Sequence, residues 1–229
     1  MTVTLITGAN KGLGYETARQ LIRRGHAVYL GARSSQRGAE AASELGGRFV
    51  QLDVTDDASV AAALARVGAD GGLDVVVNNA GIALLGRNGP DALAVFDTNA
   101  VGIVRVTEAA LPLLMRSENP VVVNVSSALG SFWANHEPSR PASHVSAMVY
   151  AASKAAVSML TVQYARAVPE VKFNAVEPGY TATELGGGDP ADSGGRPVEI
   201  SARTVVRMAT IGPDGPTGTF QEDDAELGW

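Results

Sequence analysis

Short runs of β-branched and aliphatic residues alternate along this chain with longer segments whose apolar positions recur at helical spacing. The runs are Val3–Ile6, Ala27–Ala32, Phe49–Leu52, Val75–Asn78, Val121–Val125 and Lys172–Val176, with a short last one at Thr217–Phe220. They are continuous rather than alternating, as expected of strands covered on both faces. Helical spacing marks Tyr15–Arg24, Arg37–Leu45, Ser59–Val67, Ala92–Met115 and Tyr150–Val168. Pro112 is expected to trim or kink the last turn of the fourth of these. The alternation predicts an α/β fold, a doubly wound parallel sheet of about seven strands with helices on both faces. The least regular stretches are Ser131–Ser146 and Gly186–Pro197, and the second, rich in Gly, Asp and Pro, reads as a mobile loop.

Composition narrows this picture. A chain of 229 residues fits one domain, 1–229, and 45% hydrophobic with only 5% aromatic content fits an aliphatic core. A net charge of −6 argues against a nucleic-acid surface, which needs clustered Lys and Arg. The absence of cysteine excludes disulfides, thiol catalysis and cysteine-ligated metal. His26, His136 and His144 have no metal-ligand spacing, so no metal site is expected. No stretch approaches the ~18 apolar residues of a membrane span. Thr2 to Thr7 reads as a strand with no basic region before it, so no signal peptide is expected. A cytoplasmic protein with an acidic tail at 221–229 follows.

Candidate chemistry begins at Tyr150 and Lys154 in the run YAASK. A spacing of four puts both on one helix face. An ammonium beside a phenol favours the phenolate, so a phenol pKa lowered from about 10 is expected. The first strand leads into TGANKGLG, residues 7–14, and then a helix. Gly8, Gly12 and Gly14 there permit a tight turn, close approach to a phosphate and close helix packing, a variant of the dinucleotide fingerprint. Where a carboxylate would take a ribose 2′-hydroxyl, this chain has Ala32 and then Arg33, with Arg37 further on and Lys11 in the glycine loop. Bases in place of the acid suit a 2′-phosphate. A solvated helix residue is an equal reading for Arg37 alone.

Together with LDVTD at 52–56, NNAG at 78–81, DTNAVG at 97–102, NVSSALG at 124–130 and VEPGYTAT at 176–183, these motifs resemble the short-chain dehydrogenase/reductase family over nearly the whole chain. The wording of ANKGLG, of the GAR run and around NNAGIA is most similar to the NADPH-dependent carbonyl reductases. The resemblance implies a Rossmann-like enzyme that reduces a carbonyl with NADP(H). It implies Tyr150 as general acid, Lys154 on the nicotinamide ribose, Ser127 polarising the carbonyl and Asn99 anchoring a relay water. Cofactor contacts would come from Gly8, Asn10, Lys11, Gly12, Leu13, Gly14, Arg33, Arg37, Asp53, Val54, Asn79, Ala80, Gly81, Tyr150, Lys154, Pro178, Gly179, Thr181 and Thr183. Ser126 is expected to be structural, Asn78 to tie down a strand end, and Tyr15, Tyr29 and Tyr164 to pack.

One departure from the family pattern stands out. Ser127 and Tyr150 are 23 residues apart, where many members keep them much closer. The extra residues, an insertion at 131–147, are expected to border the substrate pocket, with Phe132 and Trp133 joining Ser127 and Tyr150 there. Packing on the sheet edge is the other reading for both aromatics. The partner is expected to be a small carbonyl or alcohol, and monomer and homodimer stay open. A non-catalytic NADP(H) sensor and an NAD-linked alcohol dehydrogenase are the alternatives; the first has no need of Ser127, Tyr150 and Lys154 together, and Ala32 and Arg33 oppose the second.

Overall fold

The computed structural model describes residues 1–84, 88–186 and 189–229. Eight strands form one sheet in the order β3-β2-β1-β4-β5-β6-β7-β8. They are β1 (Val3–Thr7), β2 (Ala27–Ala32), β3 (Arg48–Gln51), β4 (Val75–Asn78), β5 (Val121–Val125), β6 (Lys172–Glu177), β7 (Thr219–Glu222) and β8 (Ala225–Glu226). All neighbours are parallel except β7 and β8. The order reverses between β1 and β4, which opens a crevice at the carboxyl ends of the strands.

Strand alternation divides the core between two faces. On one face Ile6, Val77 and Val123 pack with α1 (Gly12–Arg23), α2 (Ser35–Leu45) and α8 (Val198–Ala209). On the other, Leu5, Val76 and Val122 pack with α3 (Asp57–Ala69), α5 (Gly102–Leu114) and α7 (Met148–Ala167). Phe173 is fully buried there and stacks on Tyr164 at 5.3 Å, a burial that contributes roughly 1.5–3 kcal/mol. Tyr29 is also buried, so both tyrosines pack as expected. Local signals start the helices: Asp56 accepts from the amides of Ala58 and Ser59, and Ser34 from that of Arg37.

The continuous helix expected over 92–115 is divided. Helix α4 (Gly89–Phe96) passes through a wide π turn, Asp97–Val101, before α5 begins. Two contacts explain the turn: Asn99 bonds the backbone of Ile82, and a methyl on Gly102 would stand 3.0 Å from Val54. Pro112 lies in the last turn of α5, which ends at Leu114. The stretch 131–146 contains a short helix, α6 (Phe132–His136), and a 3₁₀ turn at Pro141–His144. The loop read as mobile, 186–197, falls partly outside the described residues; its described part has a 3₁₀ turn ending at Asp192 and a bridge between Thr181 and Arg196.

The last strand is displaced from 217–220 to 219–222, because Gly218 takes a left-handed turn (φ 71°) and its amide donates to Phe173. Beyond it the acidic segment is folded. Leu227 is buried, Trp229 packs tilted on Phe220 with ring centroids 5.4 Å apart, and both close a third apolar cluster with Ala134, Ala142 and Ala175. No helix among the described residues is long and apolar enough to cross a membrane.

Candidate active site

The glycine loop, the 79–81 segment, Ser127 and the 178–183 turn all follow the carboxyl ends of β1, β4, β5 and β6. Gly8 and Gly12 take left-handed φ values of 65° and 56°, which side chains disfavour. A methyl at Gly14 would stand 2.4 Å from the Asn79 amide nitrogen, so only glycine admits this approach. Asn79 donates to the carbonyls of Thr7 and Gly8, and the amides of Asn79 and Ala80 donate to the Thr7 hydroxyl. Asn79 therefore shapes the groove as much as it lines it. Asn78 is buried and donates to Asn124 and Thr107, tying the strand ends as expected.

Around the nucleotide end, Ala32 is buried and Arg33 is exposed just beyond β2. Burial favours the neutral form of Asp53, but two Thr55 hydrogen bonds and the nearby Arg33 charge prevail and lower its pKa. Val54 is buried against Gly102. An open groove of about 340 Å³ is lined by Asn10, Tyr15 and Ala41, by the cations Lys11 and Arg37, and by the carboxylates Glu40, Glu44 and Glu184. Lys11 there is not a free cation: its ammonium meets Glu184 at 2.5 Å across the groove. Thr183 faces Gly12, whereas the Thr181 hydroxyl is held by Gly179 and Ser201.

Tyr150 occupies the first turn of α7 with Lys154 one turn further on. Lys154 is 3% exposed, and its ammonium donates to the Val125 carbonyl at 2.7 Å. The Nζ atom lies 5.6 Å from the centroid of the Tyr150 ring. The Ser127 turn fits closely on α7, since a methyl at Gly130 would stand 2.4 Å from the Lys154 carbonyl carbon. Ser126 is buried and bonds the Lys154 carbonyl and Ser158, the structural part expected of it. Asn99, fully buried in the π turn, donates to the Ser153 hydroxyl at 3.0 Å, which donates to the Tyr150 carbonyl at 2.7 Å. A π turn at a chemically active place is a frequent association.

The lowered phenol expected from the Tyr–Lys spacing is not found. Burial and the charge of Glu177 raise the Tyr150 pKa, with the Ser127 hydroxyl working the other way. Burial brings Lys154 down to about 8, against the opposing pull of Glu177. The cause of the difference is burial of the phenol, which outweighs any help from a neighbouring cation; the ammonium itself is hydrogen-bonded to the Val125 carbonyl.

Of the two insertion aromatics, Phe132 is 71% exposed. Trp133 is 47% exposed and makes packing contacts as well: a methyl on Gly228 would stand 2.8 Å from its ring, and the Arg140 guanidinium lies 5.6 Å from its centroid. Sequence reasoning passed over three residues of this region. Ser153 carried a signal, its place between Tyr150 and Lys154 on the helix; Glu177 and Glu184 carried none, because their partners are distant in sequence.

The short chain dehydrogenase family profile matches residues 2–193. A short-chain dehydrogenase/reductase from Stachybotrys chlorohalonatus is 34% identical, over 96% of this chain and 87% of that protein. Salutaridine reductase from Papaver bracteatum is 28% identical over 97% of this chain and 94% of its own length. Among solved structures, NADPH-bound carbonyl reductase from chicken fatty liver superposes with a TM-score of 0.86 at 28% identity, covering 100% of both chains.

Proposed function

The chain belongs to the short-chain dehydrogenase/reductase family, enzymes that act on small molecules with a nicotinamide cofactor, and from that premise we propose that it reduces a ketone or aldehyde to an alcohol with NADPH. The observation that carries the reading is one of placement. Ser127, Tyr150, Lys154 and Asn99 converge beside the glycine loop at the carboxyl ends of the central strands.

The residues present fit a dinucleotide. Left-handed Gly8 and Gly12 leave the loop without side chains where a pyrophosphate would approach, and the N-terminus of α1 favours negative charge. Asp53, Val54 and the 79–81 segment border the adenosine side, and Pro178–Thr183 the nicotinamide side, with Thr183 the better placed of the two threonines because the Thr181 hydroxyl is engaged within its own turn. Ala32 in place of an acid, Arg33 beyond it, and Arg37 and Lys11 in one groove favour a 2′-phosphate. The nicotinamide, when bound, supplies the hydride.

The protein's part is proton and position. Ser127 holds the substrate oxygen beside the Tyr150 hydroxyl, and Tyr150 gives that oxygen its proton as negative charge develops. Lys154 holds the ribose hydroxyls and favours the resulting phenolate. Asn99 and Ser153 fix the first turn of α7 behind it. Phe132 offers an apolar face to the substrate side.

Consumption of NADPH, followed by absorbance against ketones, aldehydes, quinones and imines, tests the reading. Stoichiometric alcohol formation from at least one carbonyl is expected. NADPH binding without turnover of any member of a broad panel would favour a sensor.

A further inference from the structure

Glu177 ends β6 with its carboxylate held by two turns at once. One oxygen accepts from the amide of Gly179 at 2.8 Å, and the other accepts a short bond from the amide of Ala128, next to Ser127. The two amides belong to turns that follow different strands, β5 and β6.

The charged side chains nearby are committed elsewhere. In the β6–β7 register Glu177 pairs with Glu222, and Arg140 forks onto Glu222 through both terminal nitrogens. Arg196 donates to the Pro178 carbonyl and to Asp223. Glu177 is thus a part-buried carboxylate whose hydrogen bonds come from backbone amides; burial raises its pKa, with the amides of Ala128 and Gly179 and the Arg196 charge working the other way. An anion kept in such a place without its own guanidinium is costly unless both oxygens have a structural task.

We propose that Glu177 is a positioning residue for the reaction: its carboxylate fastens the Ser127 turn to the Pro178–Thr183 turn. The fastening sets the spacing between the carbonyl-polarising hydroxyl and the nicotinamide side of the groove. This rests on the reading of Ser127 as the residue that polarises the carbonyl.

Glu177→Gln tests this. Its amide has one acceptor and would set an NH₂ group against the second backbone donor, so one fastening is lost. Exchange of the Ala128 or Gly179 amide, followed by NMR, should accelerate at least about tenfold, and kcat should fall by about tenfold or more with KM for NADPH within about threefold. Glu177→Asp keeps both acceptor oxygens and loses reach, so kcat should fall in the same way; it also carries the exchange measurement should the Gln variant not fold.

Unchanged exchange at both amides in Glu177→Gln overturns the fastening. A kcat that stays unchanged while exchange accelerates, or a KM for NADPH that rises as much as kcat falls, overturns the positioning role and leaves a merely structural residue. The exchange measurement needs no turnover, so an inactive wild-type protein would sink the reduction reading while the fastening is still decided.

Discussion

Lys154 faces the ring of Tyr150 with its ammonium 5.6 Å from the centroid, and the hydrogen bond of that ammonium goes to the Val125 carbonyl. Burial outweighs that proximity at the phenol. On the proposed reading, ribose hydroxyls that accept from the ammonium would draw the pair into a shared network.

Lys154 titrates at about 8 because it is buried. Cofactor hydroxyls that accept from the ammonium favour its charged form, so NADPH affinity should be full below about 8. It should weaken above that, by at most about tenfold per pH unit. Fluorescence titration of NADPH on both sides of that pH checks this. Lys154→Met should bind more weakly throughout and show no such slope, and a flat wild-type profile would reject the assignment.

Tyr150→Phe keeps the ring and removes the transferable proton. Turnover should fall about 10²–10⁴-fold, with NADPH affinity within about threefold of the parent. Steady-state kinetics beside a binding titration separates the two quantities. Reduction of a genuine substrate at the original rate would end the role proposed for this residue.

Arg33 is expected to carry discrimination for the 2′-phosphate. A charge-assisted hydrogen bond contributes about 1.5–3 kcal/mol, so Arg33→Ala should weaken NADPH by roughly 10- to 100-fold and leave NADH nearly unchanged. Equal binding of both cofactors by the parent protein would contradict this.

Glu184 should oppose that preference, since it holds Lys11 at 2.5 Å. The pair is exposed and screened by solvent, so Glu184→Gln should tighten NADPH by no more than about fivefold. NADH should not respond. Weaker NADPH binding by the variant would show that Glu184 helps the cofactor instead.

Phe132 and Trp133 are neighbours in sequence with different expected effects. Phe132→Ala should raise KM or shift substrate preference while Tm stays constant, since the ring is mostly exposed. Trp133→Ala should lower Tm by a few degrees, because the half-exposed ring rests on Gly228 and under Arg140 and its loss costs about 1–2 kcal/mol. Thermal melts beside carbonyl kinetics decide between them; the reverse pattern would exchange their roles.

The sheet was legible in the sequence wherever a strand is covered on both faces. β2, β4 and β5 begin and end where their continuous apolar runs do. β8 was hidden because Ala225 and Glu226 are exposed and carry no apolar pattern; the turn at Asp223, with φ 28°, sets it. α8 was passed over although its inner face, Val205, Val206 and Met208, is buried. At the site, residues four apart on one helix could be placed together from spacing alone. Glu177 and Ala128 are 49 positions apart and Lys11 and Glu184 are 173 apart, so only folding gives those carboxylates their partners.

The third apolar cluster has a consequence for biosynthesis. Ser127, Tyr150 and Lys154 have all been made before residues 219–229 exist, yet the wall behind α6 needs Phe220, Leu227 and Trp229. The amide of Trp133 donates to the Trp229 carbonyl, and the Ser131 hydroxyl donates to that of Gly228. A nascent chain emerging amino-end first thus carries its reactive groups before it has the frame that encloses them. Its apolar insertion stays uncovered until translation has passed Trp229, and that interval is when a chaperone would find it.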